Sequence, residues 1–420
     1  MRIINPYFSN IKLSDGIGLI IKALRWLFVR NTEYRSNRFR FKFEKVFKMA
    51  TNVPHVQVVP SNRSGIYTLL KALEIKFGDE IIVTGYTCSA VIEPIILIGA
   101  KPIYIDIDPT NYCMCPTLVR NLITPRTKVI ILQHTYGIAG PIEELVEIAN
   151  DCNIFLIEDC ALALGSKKQK QWLGTFGDAA VWSFELSKTI SVGWGGVVGI
   201  NKNYKLAKRV SDIILDSGYK TRFLASQNLF QAGLSSWIYH PFMPMFFKHY
   251  LLLILFSTGI FKSSADTRAS ELSLPSDWQW KYLINQFERL NEINEKSKLA
   301  FKSYQEVLKM HGFSSFLNKP LSEDEILIRF PLKVKNPDQL KLFFEKKGIE
   351  IGSWFNSPVS GSWKLKKDFQ YNVGSCPNSE VISSQIVNLP LHGRMSTRDV
   401  TRISKTLNEY LTLFKDEVIC

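Results

Sequence analysis

The sequence predicts an α/β protein: a mostly parallel sheet flanked by helices, followed by a smaller α+β unit. Three observations carry this. From residue 56 onward, short apolar runs alternate with stretches of helical period, which is the pattern of βαβ units. Two later apolar runs, Ala179 to Ser183 and Val197 to Ile200, follow one another with no helix between them, a hairpin-like departure from strict βαβ order. Beyond about residue 312 a strand, a helix and a closing helix remain, enough for a small second unit.

Each element has its own reason. Val56 to Val59 is a strand, and Ser61-Asn62-Arg63-Ser64-Gly65 leads into a helix with Ile66, Leu69, Leu70 and Leu73 on one face. Gly78-Asp79 ends that unit, and Ile81 to Val83 begins the next. A helix over Ser89 to Leu97 stops at Gly99, and Ile103, Ile105 and Ile107 alternate as a strand. Val129 to Leu132 and Ile154 to Ile157 are strands on either side of a helix opened by Pro141. Ser276-Asp277 caps one long helix with Leu283, Phe287, Leu290, Ile293 and Leu299 as its apolar stripe. A strand over Ile326 to Leu332, a helix over Pro337 to Lys347 and a last helix from Thr397 to Leu413 complete the chain. The expected division is a basic, partly apolar segment over 1–42, a large unit over 43–275 and a small unit over 276–420.

Composition narrows the partners. The 420 residues carry a net charge of +14, which favours acidic partners: nucleic acid, anionic lipid or phosphorylated small molecules. Residues 1–50 hold eleven Lys or Arg against three Asp or Glu, so much of the excess precedes the folded core. The seven cysteines are odd in number and include no CxxC pair, which points to reduced thiols in a cytoplasmic protein and to no metal site. No secretory signal opens the chain. Two greasy stretches, Ile17 to Val29 and the 237–261 region, fall short of the roughly 20 apolar residues that a membrane-spanning helix needs. Each reads as a buried helix, a subunit contact or a patch lying on a membrane. Arg25, Arg30, Arg35, Arg38 and Arg40 flank the first of them.

Three features converge on one chemistry. Asp159 ends an apolar strand, Lys188 follows another, and Ser61 to Ser64 joins a strand to a helix N-terminus. In a parallel sheet, ligands bind at the carboxyl ends of the strands. A hydroxyl-rich turn at a helix N-terminus cradles phosphate. Pyridoxal phosphate needs a lysine for its Schiff base, a carboxylate for its ring nitrogen and an anion cradle.

The stretch from about Phe43 to the C-terminus resembles the DegT/DnrJ/StrS family of sugar aminotransferases. The motifs come in the family's order: "VPSNRSGIYTLLKAL", "LQHTYGIAGPIEEL", "IEDCALALGS", "GTFGDAAVWSFELSK" and "QIVNLPLHGRMSTRDV". The resemblance implies a fold-type I pyridoxal-phosphate-dependent transferase, acting as an aminotransferase on a nucleotide-linked keto-sugar with an amino donor, and a homodimer. It implies no nucleic-acid partner. It makes Lys188 the Schiff-base lysine and Asp159 the partner of the ring nitrogen. Ser183 and Ser64 become phosphate ligands, assisted by the backbone of Arg63. His134 lies in a turn near the cofactor, or is simply a buried hydrogen-bonding histidine. Glu158 ties down a loop.

The sequence also departs from the family pattern. Arg63 stands where glycine is usual and Cys88 where an aromatic stacks on the ring. Leu162, Glu185, Thr189 and Trp194 replace other frequent residues. These changes leave open two further readings: a pyridoxal-phosphate-binding regulatory protein without turnover, and an aminotransferase acting on a lipid-linked substrate at the membrane.

Overall fold

The computed structural model describes residues 3–5, 11–28, 35–240, 243–262, 268–313, 321–361 and 369–419. Arg30, Cys420 and residues 241–242 of the greasy region lie outside these.

The chain opens with α1 (Leu13–Phe28) and α2 (Arg38–Thr51), then β1 (His55–Val59) and α3 (Asn62–Ala72). Next come β2 (Glu80–Thr84), β3 (Thr87–Cys88), α4 (Ser89–Leu97), β4 (Lys101–Ile105) and α5 (Pro116–Leu122). β5 (Thr127–Gln133), α6 (Ile142–Asp151) and β6 (Phe155–Asp159) follow. A small ribbon of β7 (Lys167–Lys168) and β8 (Gln171–Trp172) precedes β9 (Ala179–Ser183) and β10 (Gly196–Ile200). The helical stretch is α7 (Tyr204–Asp216), α8 (Arg222–Ile238), α9 (Met245–Ser257), α10 (Asp277–Phe287) and α11 (Leu290–Met310). The remainder is β11 (Phe330–Val334), α12 (Pro337–Glu345), β12 (Val359–Ser360), α13 (Pro377–Gln385), β13 (Ile386–Leu389), α14 (Thr397–Phe414) and β14 (Val418–Ile419).

The main sheet has seven strands in the order β1-β10-β9-β6-β5-β2-β4. β10 runs antiparallel to both its neighbours, and the pairs from β9 through β4 are all parallel. The expected hairpin is therefore present, with Ala179 opposite Ile200 and Ser183 opposite Gly196. β2, β9 and β10 are buried along their whole length, as continuous apolar runs covered on both faces must be. Gly65 lets α3 sit close on this sheet: a Cβ there would come within 3.0 Å of Val198 and 3.3 Å of Val59.

A second core gathers around the antiparallel strands β13-β11-β14 with α12 and α14. Tyr86, Tyr112 and Tyr136 from the loops of the main sheet are part of that core. The segment at residues 3–5 joins it too, through the bridge of Ile4 to Ile349.

Two elements differ from expectation. The single long helix is two, α10 and α11, because the chain turns at Glu288 and Arg289. Ser276 does cap the first, in a capping box with Gln279. After the turn, Ser297 and Ala300 face inward and Leu299 is 64% exposed. The strand expected over Ile326 to Leu332 begins only at Phe330. Ile326 and Leu327 are buried outside the ladder, and the Ile328 N–H donates to the Tyr136 carbonyl instead. Residues 326–329 are thus drawn toward the main sheet.

Candidate active site

β5, β6 and β9 lie side by side and parallel, so their carboxyl ends form one edge. Gln133, Asp159 and Val181 are close to level there, since Gln133 pairs with Asp159 and Asp159 with Val181. His134 follows β5, Asp159 closes β6, and Lys188 sits on the loop that leaves β9. The helix-opening turn Ser61 to Ser64 reaches the same edge from β1. A Cβ on Gly196 would meet the Asn62 N at 2.9 Å, so the turn lies against the start of β10.

Asp159 is buried, and both hydrogen bonds its side chain accepts from the described residues go to one oxygen. Asn62 Nδ2 donates to Oδ1 at 3.1 Å and the Ala161 N–H at 3.0 Å. Burial pushes this carboxyl up from its ordinary pKa. The Ala161 N–H, Asn62 and the charge of Lys188 only partly offset it. A buried carboxylate short of positive charge is what the protonated nitrogen of a ring would complement.

Lys188 is half-buried. Burial lowers its pKa, and the nearby Arg329 guanidinium lowers it further, against the pull of Glu185, Cys88 and Asp159. A lysine so placed holds a larger neutral fraction near physiological pH than one in water, which suits a nucleophile and base. Its loop is fixed from both sides. Glu185 accepts from the N–H and hydroxyl of Ser187 at 3.0 and 2.7 Å, and Gln286 brackets Ser191 through bonds of 3.0 and 2.6 Å. A narrow cleft beside Lys188 is lined by Ser187, Thr189, Ser297, Leu327, Leu391 and His392. Burial also drops the His392 pKa to about 4, so this ring is neutral at physiological pH.

The other expected residues fall into two groups. Ser183 is buried at the end of β9, and its hydroxyl accepts a long 3.5 Å bond from the Glu185 N–H. Ser64 lies in the first turn of α3. Its N–H is capped by Ser61 Oγ at 3.1 Å, and its hydroxyl reaches the Glu271 carbonyl at 3.2 Å. The helix cannot satisfy the first-turn N–H groups of Asn62 and Arg63 internally, and these offer the anion cradle. The Arg63 side chain is engaged elsewhere, in a 2.9 Å ion pair with Glu93 on α4. Cys88 is half-buried at the N-cap of α4 and packs against the second core.

His134 and Glu158 work as a pair. Nδ1 of His134 accepts from the Gly140 N–H at 3.2 Å, so Nε2 carries the proton donated to Glu158 at 3.0 Å. Glu158 also accepts from the N–H groups of Gly174, Phe176 and Gly177, each at 2.7 Å. One buried acid thereby fixes the loop that leads into β9. Cys160 lies within reach of both His134 and Glu158. Burial and the two adjacent carboxylates push its thiol well above the ordinary range.

Asn62 and Arg329 were not singled out from the sequence. Asn62 acts on Asp159 across 97 positions, which no local pattern reveals. Arg329 is buried, with its guanidinium 4.0 Å from the centre of the Trp354 ring. It had left a signal, as the single charge inside the apolar run ILIRFPL. A groove of about 1100 Å³ lies at the opposite, amino edge of the sheet, beside Lys128, Phe155 and Lys202. None of the residues above reaches it.

Residues 19–230 and 276–408 match the sequence model of the DegT/DnrJ/EryC1/StrS aminotransferase family. Among relatives, a GDP-perosamine synthase of Escherichia coli O157:H7 is 39% identical over 160 residues, 38% of this chain and 44% of that protein. An L-glutamine:2-deoxy-scyllo-inosose aminotransferase of Streptomyces kanamyceticus is 32% identical over 205 residues, 48% of this chain and 47% of that protein. The chain thus spans less than half the length of these two relatives. It spans 85% of a UDP-N-acetyl-3-dehydro-alpha-D-glucosamine 3-aminotransferase of Acidithiobacillus ferrooxidans, with 86% of this chain aligned at 24% identity. Of solved structures, a DegT DnrJ EryC1 StrS aminotransferase from Brucella abortus superposes with a TM-score of 0.71 at 21% identity, covering 94% of this chain and 95% of that one. NtdA from Bacillus subtilis, with bound cofactor PMP, superposes at 0.72 and 21% identity, covering 96% and 83%. The fold is shared with these enzymes, the motifs stand in the same order, and the chain belongs to the DegT/DnrJ/EryC1/StrS aminotransferase family, whose chemistry is that of pyridoxal phosphate in the fold-type I scaffold.

Proposed function

We propose that the protein moves an amino group from glutamate onto a keto-sugar carried by a nucleotide, with pyridoxal phosphate held by Lys188 and Asp159. The observation that carries this is the placement of a buried, charge-deficient carboxylate and a lysine of lowered pKa on the carboxyl ends of adjacent parallel strands. The residues fit the cofactor. Asp159 offers its carboxylate to the ring nitrogen, Lys188 its amine to the carbonyl carbon, and Asn62, Arg63, Ser64 and Ser183 a cradle for the phosphate. The bound cofactor supplies a carbonyl that carries the amino group and a ring that accepts an electron pair.

The protein's own part is positional and protonic. Asp159 keeps the proton on the ring nitrogen, and Asn62 and the Ala161 N–H keep Asp159 aimed. Lys188, its amine partly neutral, would serve as the base that holds and moves the proton beside the bound cofactor. Glu158 and His134 hold the loop and the strand end on which these groups stand. Sugars on nucleotide carriers are named for relatives of this chain, and a positive protein suits a diphosphate.

Glutamine is the competing donor, because relatives named for L-glutamine align with about half of the chain. Absorbance of the purified protein separates the two. Glutamate should shift the lysine-bound cofactor band to that of the aminated cofactor, and a nucleotide-linked keto-sugar should restore it. A shift with glutamine alone would reassign the donor. No shift with either would overturn the aminotransferase reading.

A further inference from the structure

The helices α1, α8 and α9 form a layer whose purpose the site does not explain. α8 is the middle member. Its Ala225, Leu229 and Ala232 pack on Ile11, Leu19, Ala23 and Trp26 of the N-terminal segment. The pairing is close enough that a Cβ on Gly233 would meet the Gly16 carbonyl at 2.6 Å. On its other side, Ile238 and Leu234 pack with Leu251, Leu252 and Leu255 of α9. Gln227 and Gln231 bond to the carbonyls of residues 259, 260 and 262. Beneath, α8 lies close to the loop after Lys188, where a Cβ on Gly193 would meet Ala232 at 3.3 Å.

The polarity of α9 is inverted. Its one lysine, Lys248, points inward, is 3% exposed, and bonds Asn5 at 2.6 Å and the Glu350 carboxylate. Four of its large aromatic and aliphatic residues point outward: Phe246 is 85% exposed, Leu253 67%, Tyr250 58% and Phe247 54%, while Leu251, Leu252 and Leu255 face α8. α1 adds exposed Ile17, Ile21, Leu24 and Phe28, and α8 adds Phe223 and Trp237. A helix that hides its charge and shows its apolar face is not built for water. The thirteen residues of α9 extend about 20 Å, short of the ~30 Å hydrocarbon core. No helix among the described residues is long and apolar enough to cross a membrane.

Charge identifies the occupant. Across the three helices Asp15 is the only acid, against Lys22, Arg25 and Arg222, with Lys248 turned inward onto Glu350. A second copy docking through the same face would set like charges against each other. An anionic lipid surface is complementary to it. Residues 231–275, which include α9, lie between the two stretches that match the family, whereas residues 19–28 of α1 and 222–230 of α8 lie within the first of them.

We propose that α1, α8 and α9 form a platform that seats the protein in the interfacial layer of a bilayer containing anionic phospholipid, without crossing it. The test is co-sedimentation of the cofactor-loaded, full-length protein with phosphatidylcholine vesicles, with and without phosphatidylglycerol. Binding should require phosphatidylglycerol and fall as salt rises. The double variant Phe246→Ser, Leu253→Ser should bind on the order of tenfold more weakly or worse, with unchanged cofactor absorbance and unchanged mass by light scattering. Arg25→Glu, a change at an exposed position, should weaken binding to the anionic vesicles alone. Absence of wild-type sedimentation with phosphatidylglycerol vesicles at low salt would overturn the proposal. So would wild-type binding by the double variant, or a drop in its mass, which would assign the face to a second copy.

Discussion

The strand-end site and the helical platform handle polarity in opposite ways. At the site, charge is brought inside and held there by hydrogen bonds from backbone and side chains. Glu158 alone accepts four hydrogen bonds, from His134 and three backbone N–H groups. On the platform, apolar side chains are placed outside, and the one lysine of α9 is turned inward onto Glu350. Each arrangement is costly for a protein alone in water. The costs mark two places where the chain is shaped for something other than its own folding.

The largest effect that sharpens this comparison is at Lys188. Lys188→Ala should abolish transamination while the protein stays folded, because the side chain is half-buried on a loop that Glu185 and Gln286 hold independently. Next is Asp159→Asn, which removes the charge that keeps the ring nitrogen protonated. The loss should be on the order of a thousandfold in kcat. Thermal unfolding of the cofactor-free protein should show the reverse. Asp159 has its pKa raised by burial, so its ionised form is disfavoured in the folded state and its contribution to stability is lost as pH rises through the folded pKa. The asparagine variant has no such loss, so its Tm advantage over the cofactor-free wild type should grow with pH through that window. Equal Tm values across pH would mean that the carboxylate is already compensated.

Smaller effects follow. Glu158→Gln leaves four donors facing a neutral amide and should cost about 1–3 kcal/mol in denaturant unfolding, with kcat falling only as the loop before β9 loosens. Asn62→Ala removes one neutral–charged bond to Asp159 and should cost roughly tenfold in kcat. The Phe246→Ser, Leu253→Ser variant should change stability by no more than about 0.5 kcal/mol. By contrast, Phe43→Ala should cost about 3–5 kcal/mol, since Phe43 is fully buried against Phe184 at 5.5 Å and Trp280 at 5.6 Å. A large loss at Phe246 and Leu253 would mean that α9 is core after all.

These two regions also differ in how far they could be read in advance. The strands and the positions of Asp159 and Lys188 follow from local pattern: an apolar run, its end, and the turn after it. β9 has the expected bounds, and α4 does as well. What escaped is non-local. Asn62 reaches Asp159, and Arg329 reaches Lys188, only because the fold brings distant segments to one edge. The turn at Glu288 and Arg289 escaped because the apolar period runs through it. Leu299 keeps that period yet faces solvent once the helix changes direction. The greasy stretch was visible as composition, but composition does not say which way a helix faces. Only the inward ion pair of Lys248 does.

The central claim, that Lys188 holds the cofactor at this strand edge, is tested most directly by trapping. The cofactor-loaded protein is reduced with borohydride, digested, and its peptides are weighed. The account predicts one phosphopyridoxyl group, on Lys188, and its disappearance from the trapped protein once glutamate has been added in excess. A modified lysine elsewhere in the chain, with Lys188 left bare in an active enzyme, would contradict it.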